Sequence, residues 1–440
     1  MAEVKPIEVA IIGGGITGLA LALGLQRRSI PFHIYERASS LREIGAGIGF
    51  TPNAERAMLA LDPRIHQSFK SVASQNASDW FQYVDGYGSV DGDKETVDEA
   101  SLFSLYLGER GFEGCHRAQF LKCLVDCLPE DCVTYGAQLE TIVDPVGDER
   151  VVMKFHDGTT AEADMVIGCD GIRSRVRQLI LGEDNPASYP GYSHKKAYRG
   201  LIPMEKALPA LGEAKVNTRF MHLGQDAHAL TFPVAGGTLM NVVAFVTDPG
   251  EWPYADKLSA PADKNEAIAQ FSKFGGAVRT IMSLLSENLD EWAIFDYYDH
   301  PASTYYKGRI SIAGDAAHAS APHHGAGAGA GIEDATVLAA VIELAQSTLR
   351  ESGTASKSDI LNAAFETYNT VRLERSQWLV ESSRILGELY DWQHEPTGND
   401  KDKCSEEVYW RSHKIWDYDI DEMLQQTTEE YRKRAVIFLL

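Results

Sequence analysis

Gly13-x-Gly15-x-x-Gly18 lies between an apolar run, Ile7 to Ile12, and a helical pattern over Leu19 to Arg28; a further run from Pro31 ends on Glu36. The order predicts a strand, a glycine turn, a helix and a second strand, the unit that binds half of a dinucleotide. Gly13 permits the tight turn, Gly15 lets the backbone approach a pyrophosphate, and Gly18 permits close packing of helix on strand. The helix N-terminus offers free N–H groups and a partial positive charge to phosphate. A carboxylate at Glu36 can grip a ribose diol and disfavours a 2′-phosphate, so the site suits FAD or NAD rather than NADP, an exclusion that the adjacent Arg37 softens. The surrounding strand, helix and acid separate this motif from a glycine turn of purely structural use.

Two more clusters have chemistry in their spacing. Gly314-Asp315-Ala316-Ala317-His318 follows a predicted strand, Arg309 to Ala313, and precedes the glycine-rich run Pro322 to Gly331 and then Ile332-Glu333-Asp334. A carboxylate at a strand end, such as Asp315, can accept from a ribityl or ribose hydroxyl. The glycines, Gly327 and its neighbour Ala328 among them, open a second helix whose N-terminus can face phosphate or a flavin edge. Paired with the N-terminal loop, this segment implies a long ligand held at both ends. In Asp170-Gly171-x-x-Ser174-x-x-Arg177, Ser174 can cap a helix and Arg177 can reach a phosphate or pair with Asp170; alone it reads as a capped helix start.

The elements that must position these groups come from distant parts of the chain. Its 440 residues suffice for two or three units sharing a large core. A strand-dominated stretch, with strands expected over His194–Ile202, Thr218–Leu223, His228–Pro233 and Leu239–Val246, has no dinucleotide loop and reads as a sheet covering a substrate. Val151–Phe155 and Ala163–Ile167 read as a hairpin turned at Asp157-Gly158, and the polar stretch Ser74 to Asp98 as an insertion away from the core. A long helix is expected from about Ile332, with helices to the end. The fold class is therefore mixed α/β: a Rossmann-like domain built from 1–75, 100–185 and 285–345, a sheet domain from 76–99 and 186–284, and a helical region over 346–440.

Composition narrows the partners. A net charge of −22 repels nucleic acid and anionic membrane. No apolar stretch approaches the roughly 20 residues of a membrane span, and the N-terminus enters a strand pattern without a targeting signal. The six cysteines form no C-x-x-C pair and read as reduced thiols, which suits a cytoplasmic setting; no metal site is expected.

Together the three motifs resemble the class A flavoprotein monooxygenases, which include para-hydroxybenzoate and salicylate hydroxylases. Arg42-Glu43-Ile44-Gly45-Ala46-Gly47-Ile48-Gly49, Gly114-Cys115-His116-Arg117, Tyr198-Arg199-Gly200 and Pro322-His323-His324-Gly325-Ala326-Gly327 are similar to the fungal salicylate-hydroxylase-like branch. That branch includes the dearomatising phenol hydroxylase of tropolone biosynthesis. The resemblance implies FAD held by Glu36, Gly49, Arg117, Asp315 and Ala328, with NAD(P)H binding transiently to reduce it. It implies a flavin C4a-hydroperoxide formed with O2, whose distal OH passes to a phenolic ring. The protein would supply orientation and a water-poor pocket.

Electrophilic hydroxylation is fastest on a phenolate, and a nearby cation lowers a phenol's pKa. Arg199 matches the arginine that does this in the dearomatising relatives; without the resemblance it reads as a surface residue of a sheet. Phe232 departs from the tyrosine of the tropolone-type relative and removes one phenol contact. His116, His222 or His228 could contribute instead, though lone histidines are more often satisfied structural residues. Pro322 and His323, with His324, would shape the flavin-side loop by packing and hydrogen bonding rather than as metal ligands. Ala326 and Gly329 stand where the wider family has Gln and Asn, so contacts there would be mainly backbone. The expected substrate is a polyketide-type phenol, with or without dearomatisation, and the alternative a salicylate-like acid hydroxylated with loss of CO2. An FAD epoxidase or reductase and a flavoprotein without turnover are further readings; the Trp-x-Trp-x-Ile-Pro segment of halogenase-type relatives is absent. The amphipathic C-terminal helices could pair two subunits.

Overall fold

The computed structural model describes residues 5–40, 47–75, 77–89, 96–108, 112–352 and 355–438. Its nucleotide-binding layer is a six-stranded sheet in the order Tyr306–Lys307, Ile310–Ile312, Met165–Gly168, Val9–Ile12, Phe32–Glu36 and Val133–Tyr135. All neighbours pair in parallel except Tyr306–Lys307, which turns back at the edge. Val9–Ile12 lies at its centre and is buried at every residue, as an all-apolar strand covered on both faces must be. The distant motifs meet on this sheet because residues 165–168 pair with Val9–Ile12 on one side and with 310–312 on the other, although all three are far apart in sequence.

The expected hairpin after Val151 differs in its partner. Val151–Phe155 pairs with Thr160–Ala163, and Met165–Gly168 leaves it to join the parallel sheet. Apolar content alone does not separate the last strand of a hairpin from the first of a neighbouring sheet. The second helix also begins earlier than expected: Gly327–Ser352 is a single helix, so the later glycines lie inside it rather than before it. A Cβ at Gly331 would lie 2.2 Å from the Thr17 hydroxyl oxygen, so the close approach of the first helix, Ile16–Arg27, outweighs the low helix propensity of glycine.

The second layer is an eight-stranded sheet in the order Ser259–Ala262, Leu289–Asp296, Gly191–Pro203, Leu239–Thr247, Ala227–Val234, Arg219–Leu223, Trp80–Ser89 and Glu99–Tyr106. The stretch after Ser74 is thus no insertion away from the core. Trp80–Ser89 pairs in parallel with Arg219–Leu223, and Tyr83 within it is fully buried. The sheet also runs beyond the expected boundary at 284, because Leu289–Asp296 pairs with Gly191–Pro203.

Helices Lys357–Tyr390, Lys401–Trp416 and Ile420–Ala435 complete the chain, their N-termini capped by Ser356, Asp400 and Asp419. Lys357–Tyr390 carries Arg372 into a buried charge cluster. Arg372 donates through Nε to Asp334 (2.7 Å) and pairs with Glu333 (2.7 Å), which also receives Arg375 (2.8 Å) and the Asn53 amide (2.7 Å). Asp334 in turn accepts the N–H of Gly314 (2.8 Å) and lies 2.5 Å from His318 Nε2. The cluster therefore clamps the turn that presents Asp315. Burial alone would push the Glu333 carboxyl up, but Arg372 and Arg375 outweigh it and hold it at about 2.

Candidate active site

The N-terminal loop has the geometry its glycines require. Gly13 adopts φ +105°, and a Cβ there would meet the Cys169 carbonyl oxygen at 2.4 Å. A Cβ on Gly15 would meet nothing within 4 Å, which leaves open space before the helix N-terminus where a pyrophosphate can enter. A Cβ on Gly18 would collide with the Gly13 carbonyl oxygen at 2.1 Å. Glu36 ends its strand with Oε2 accepting from the Gly14 N–H (2.7 Å) and Oε1 from the Ala38 N–H (2.8 Å), so its carboxylate is fixed beside the loop. A Gly13→Ala substitution combines a strained φ with a backbone collision. It is expected to lower FAD affinity at least about tenfold; the flavin-to-protein absorbance ratio after gel filtration checks this, and an unchanged ratio refutes it.

The Asp170 motif is a joint, with Arg177 performing neither of the tasks expected of it. Asp170 accepts from the Ser174 hydroxyl (2.5 Å) and from the N–H groups of Arg175 (2.7 Å) and Val176 (3.2 Å), while Ser174 Oγ accepts from the Arg177 N–H (2.9 Å). Arg177 is fully buried over the Tyr297 ring (3.5 Å) and donates to the carbonyls of Ala187, Ala316 and Ala317. Those last two carbonyls belong to the helix Asp315–His318, so the motif positions Asp315 from behind. Gly171 and Cys169 face forward, into the cleft.

That cleft, of about 380 Å³, joins the motifs. Its floor includes Gly15, Gly49, Arg117, Asp315, Pro322, Gly327 and Ala328. Its roof is one face of the eight-stranded sheet: Ala197 and Arg199, Leu230 and Phe232, Val243 and Phe245, Trp292 and Ile294. Each pair is two residues apart, as side chains on one face of a strand must be. Arg42 to Ala46, part of the segment that suggested the branch, lie outside the described residues.

Arg199 is half-buried. Its Nε has no hydrogen-bond partner and no carboxylate pairs with it among the described residues, while the Trp292 ring lies 5.3 Å away. Burial, then the charge of Arg117, lower Arg199 to about 10, which leaves it cationic at neutral pH. Phe232 is buried against Gly114 and Gly47, where added Cβ atoms would come within 3.0 and 3.2 Å of its ring. A second cation of the roof, Arg219, escaped the sequence reading. The available signal was a charge opening a strand otherwise composed for a covered face.

The histidines divide differently from expectation. Pro322 lines the cleft, but the His323 ring turns away and packs against Phe245 (4.8 Å) and His228 (5.1 Å), under Gly387 of the Lys357–Tyr390 helix. His222 and His228 are fully buried and spoken for by Glu99 (2.6 Å) and Asp391 (2.6 Å). Asp391 also binds Lys195. His324 meets Ser382 Oγ at 2.9 Å, and burial, then Arg411, hold its ring at about 3. Burial, then His228, depresses His323.

These shifts fix the sign of the acid response. The folded chain refuses protons that the unfolded chain takes up below the ordinary histidine value of 6.5, so stability is complete above that pH and falls as pH drops toward 3. Glu333 adds a loss as pH falls from 4.5 toward 2. Each histidine kept neutral costs up to about 1.4 kcal/mol per pH unit. Melting temperature should decline steadily as pH falls from about 6.5 to 5, and less steeply in His324→Gln; a flat profile in the native chain contradicts the assignment.

Open space before Gly15, a fixed carboxylate at Glu36, and Asp315 beside the first turn of a second helix define a flavoprotein oxidoreductase with room for a dinucleotide along one cleft. The chain belongs to the FAD binding domain family, which matches residues 6–185 and 253–383, and it is an FAD-dependent monooxygenase of the salicylate hydroxylase type. FAD is its cofactor. The FAD-dependent monooxygenase pigN of Monascus ruber is 64% identical, covering 98% of each chain. The FAD-dependent monooxygenase orf3 of Aspergillus niger is 60% identical, again over 98% of each. A solved salicylate hydroxylase in complex with its substrate superposes with a TM-score of 0.81 at 32% identity, over 96% of this chain and 98% of that one. The gap between the matched segments holds the strands from Gly191–Pro203 to Leu239–Thr247, which roof the cleft. No helix among the described residues is long and apolar enough to cross a membrane, and no group of three or more His, Cys, Asp or Glu among them could hold a metal ion.

Proposed function

We propose that the cleft binds a phenol as its phenolate on Arg199 and hydroxylates the ring, using NAD(P)H and O2. The observation that carries this reading is the cation itself: a guanidinium with a buried, unsatisfied Nε and no carboxylate partner among the described residues, in the roof of a flavin cleft. An enclosed charge without a partner is costly, and an anionic substrate supplies what the protein omits. Gly13, Gly15, Gly18, Glu36, Gly49, Arg117, Asp170, Asp315, Gly327 and Ala328 would hold FAD or support the backbone that does. FAD, reduced by NAD(P)H, supplies the activation of O2 by which one oxygen enters the ring and the other leaves as water.

The chain's own residues orient the substrate and exclude water. Leu230, Phe232, Val243 and Phe245 give the roof an apolar surface suited to a substituted, polyketide-type phenol of secondary metabolism, and Pro322 closes the opposite side. Phe232 offers no hydroxyl, so the phenolate depends on Arg199. Attack at a ring carbon already bearing a substituent would dearomatise the ring. The second reading, decarboxylative hydroxylation of a salicylate-like acid, is favoured by the likeness to the salicylate hydroxylase structure.

The test is an absorbance spectrum of the purified protein followed by NADPH and NADH consumption across a panel of substituted phenols and salicylate. A yellow protein whose nucleotide oxidation rises sharply with one phenol, giving a product heavier by one oxygen, is the expected result. Release of CO2 from salicylate at a higher rate would select the second reading. A flavin-loaded protein indifferent to every phenol and to salicylate would refute both and favour an epoxidase or reductase.

A further inference from the structure

The cleft contains two arginines in its roof, and the proposed function uses one. Arg219 is 2% exposed yet borders the cleft, its guanidinium 4.3 Å from the Phe112 ring centre and 5.2 Å from that of Phe232. The strands carrying Arg199 and Arg219 are separated by two others, Leu239–Thr247 and Ala227–Val234. At about 4.8 Å per strand their backbones lie roughly 14 Å apart across the sheet. The roof between them is apolar, formed by Val243 and Leu230. A ring with a short oxygen-bearing arm suits such a span better than a single hydroxyl does.

We propose that Arg219 is a second substrate anchor, receiving an oxygen substituent, a carbonyl or carboxylate, on an arm of the ring whose phenolate Arg199 holds. This deepens the phenol reading and rests on it. The two aromatic faces hold the guanidinium plane in place, so little side-chain freedom remains to be lost when a ligand oxygen arrives. Behind it, the nearby Glu113 carboxylate is already shared with Lys70 (2.8 Å), so that negative charge is not Arg219's alone. Burial lowers Arg219 to about 9 while Glu113 and Tyr83 oppose the shift, and the side chain stays cationic at neutral pH.

The experiment compares two probes on the FAD-loaded enzyme: a resorcinol carrying an oxopropyl arm and its propyl counterpart. Dissociation constants come from perturbation of the flavin absorbance, and kcat and KM from NADPH oxidation. In the native enzyme the oxopropyl probe should bind about tenfold or more tighter, the worth of a hydrogen bond to a charged group. Arg219→Met should collapse that ratio toward one, and Arg219→Lys should restore part of it. An equal loss for both probes, leaving the ratio intact, would make Arg219 structural and overturn the proposal. Absence of discrimination by the native enzyme would do the same, even if neither variant folds. If the native enzyme binds neither probe, the phenol reading itself falls and this inference with it.

Discussion

Replacing Arg199 with glutamine is expected to lower phenol-dependent turnover by about two to three orders of magnitude while FAD remains bound, the size of effect seen when one preorganised group facing developing or resident negative charge is removed. Arg199 borders the cleft from the centre of a strand paired on both sides, so the substitution leaves the fold intact. The more discriminating readout is the pH profile. A cation beside a phenol favours its ionised form, so the acid limb of kcat reports the bound phenol's lowered pKa. Glutamine removes the charge, the phenol pKa returns upward, and the limb should move to higher pH by about one to two units. Arg199→Lys, which keeps a charge but not the planar fork, should shift the limb less than glutamine does. A glutamine variant with native turnover and an unmoved limb would show that the phenolate is held elsewhere.

Arg372→Leu has the largest expected effect on stability, a loss of about 3–5 kcal/mol, because it strips a shared cation from two buried carboxylates. Glu333 and Asp334 are 1% and 0% exposed, and among the described residues the leucine variant would leave them Arg375, Asn53, His318 and the Gly314 N–H. Burial favours protonation of both acids; without Arg372 the Glu333 carboxyl loses the charge that chiefly opposes this, and Asp334 keeps His318 alone of the two charges that now depress it, so both rise. Since Asp334 clamps the turn bearing Asp315, loss of FAD should accompany the loss of stability. Urea unfolding of the apo- and FAD-loaded forms measures both. Arg372→Lys, which retains charge without the two-pronged geometry, should fall between the native chain and the leucine variant. A loss of under about 1 kcal/mol for the leucine variant would mean the cluster is not a structural keystone.

The glycine loop, Glu36 and the Gly314-Asp315 turn were legible in the sequence because each encodes its geometry within a few residues. A left-handed φ at Gly13, a backbone approach at Gly15 and a carboxylate ending a strand depend on local chain stereochemistry. Four of the roof strands were legible as strand-rich runs, and their expected limits match the observed ones to within a few residues; the remaining one, Leu289–Asp296, lay beyond the expected boundary because its place is set by pairing with Gly191–Pro203. Which face each side chain takes, and what lies opposite, depends on register and on partners far along the chain. That is why Arg219 passed unnoticed, why His323, next to a cleft residue, points into the packing under Gly387, and why Arg177 serves two carbonyls of the Asp315 helix rather than a phosphate. The cofactor class follows from motifs that fold on themselves, whereas Arg199 and Arg219 are brought to one roof of the cleft only by the pairing of distant strands.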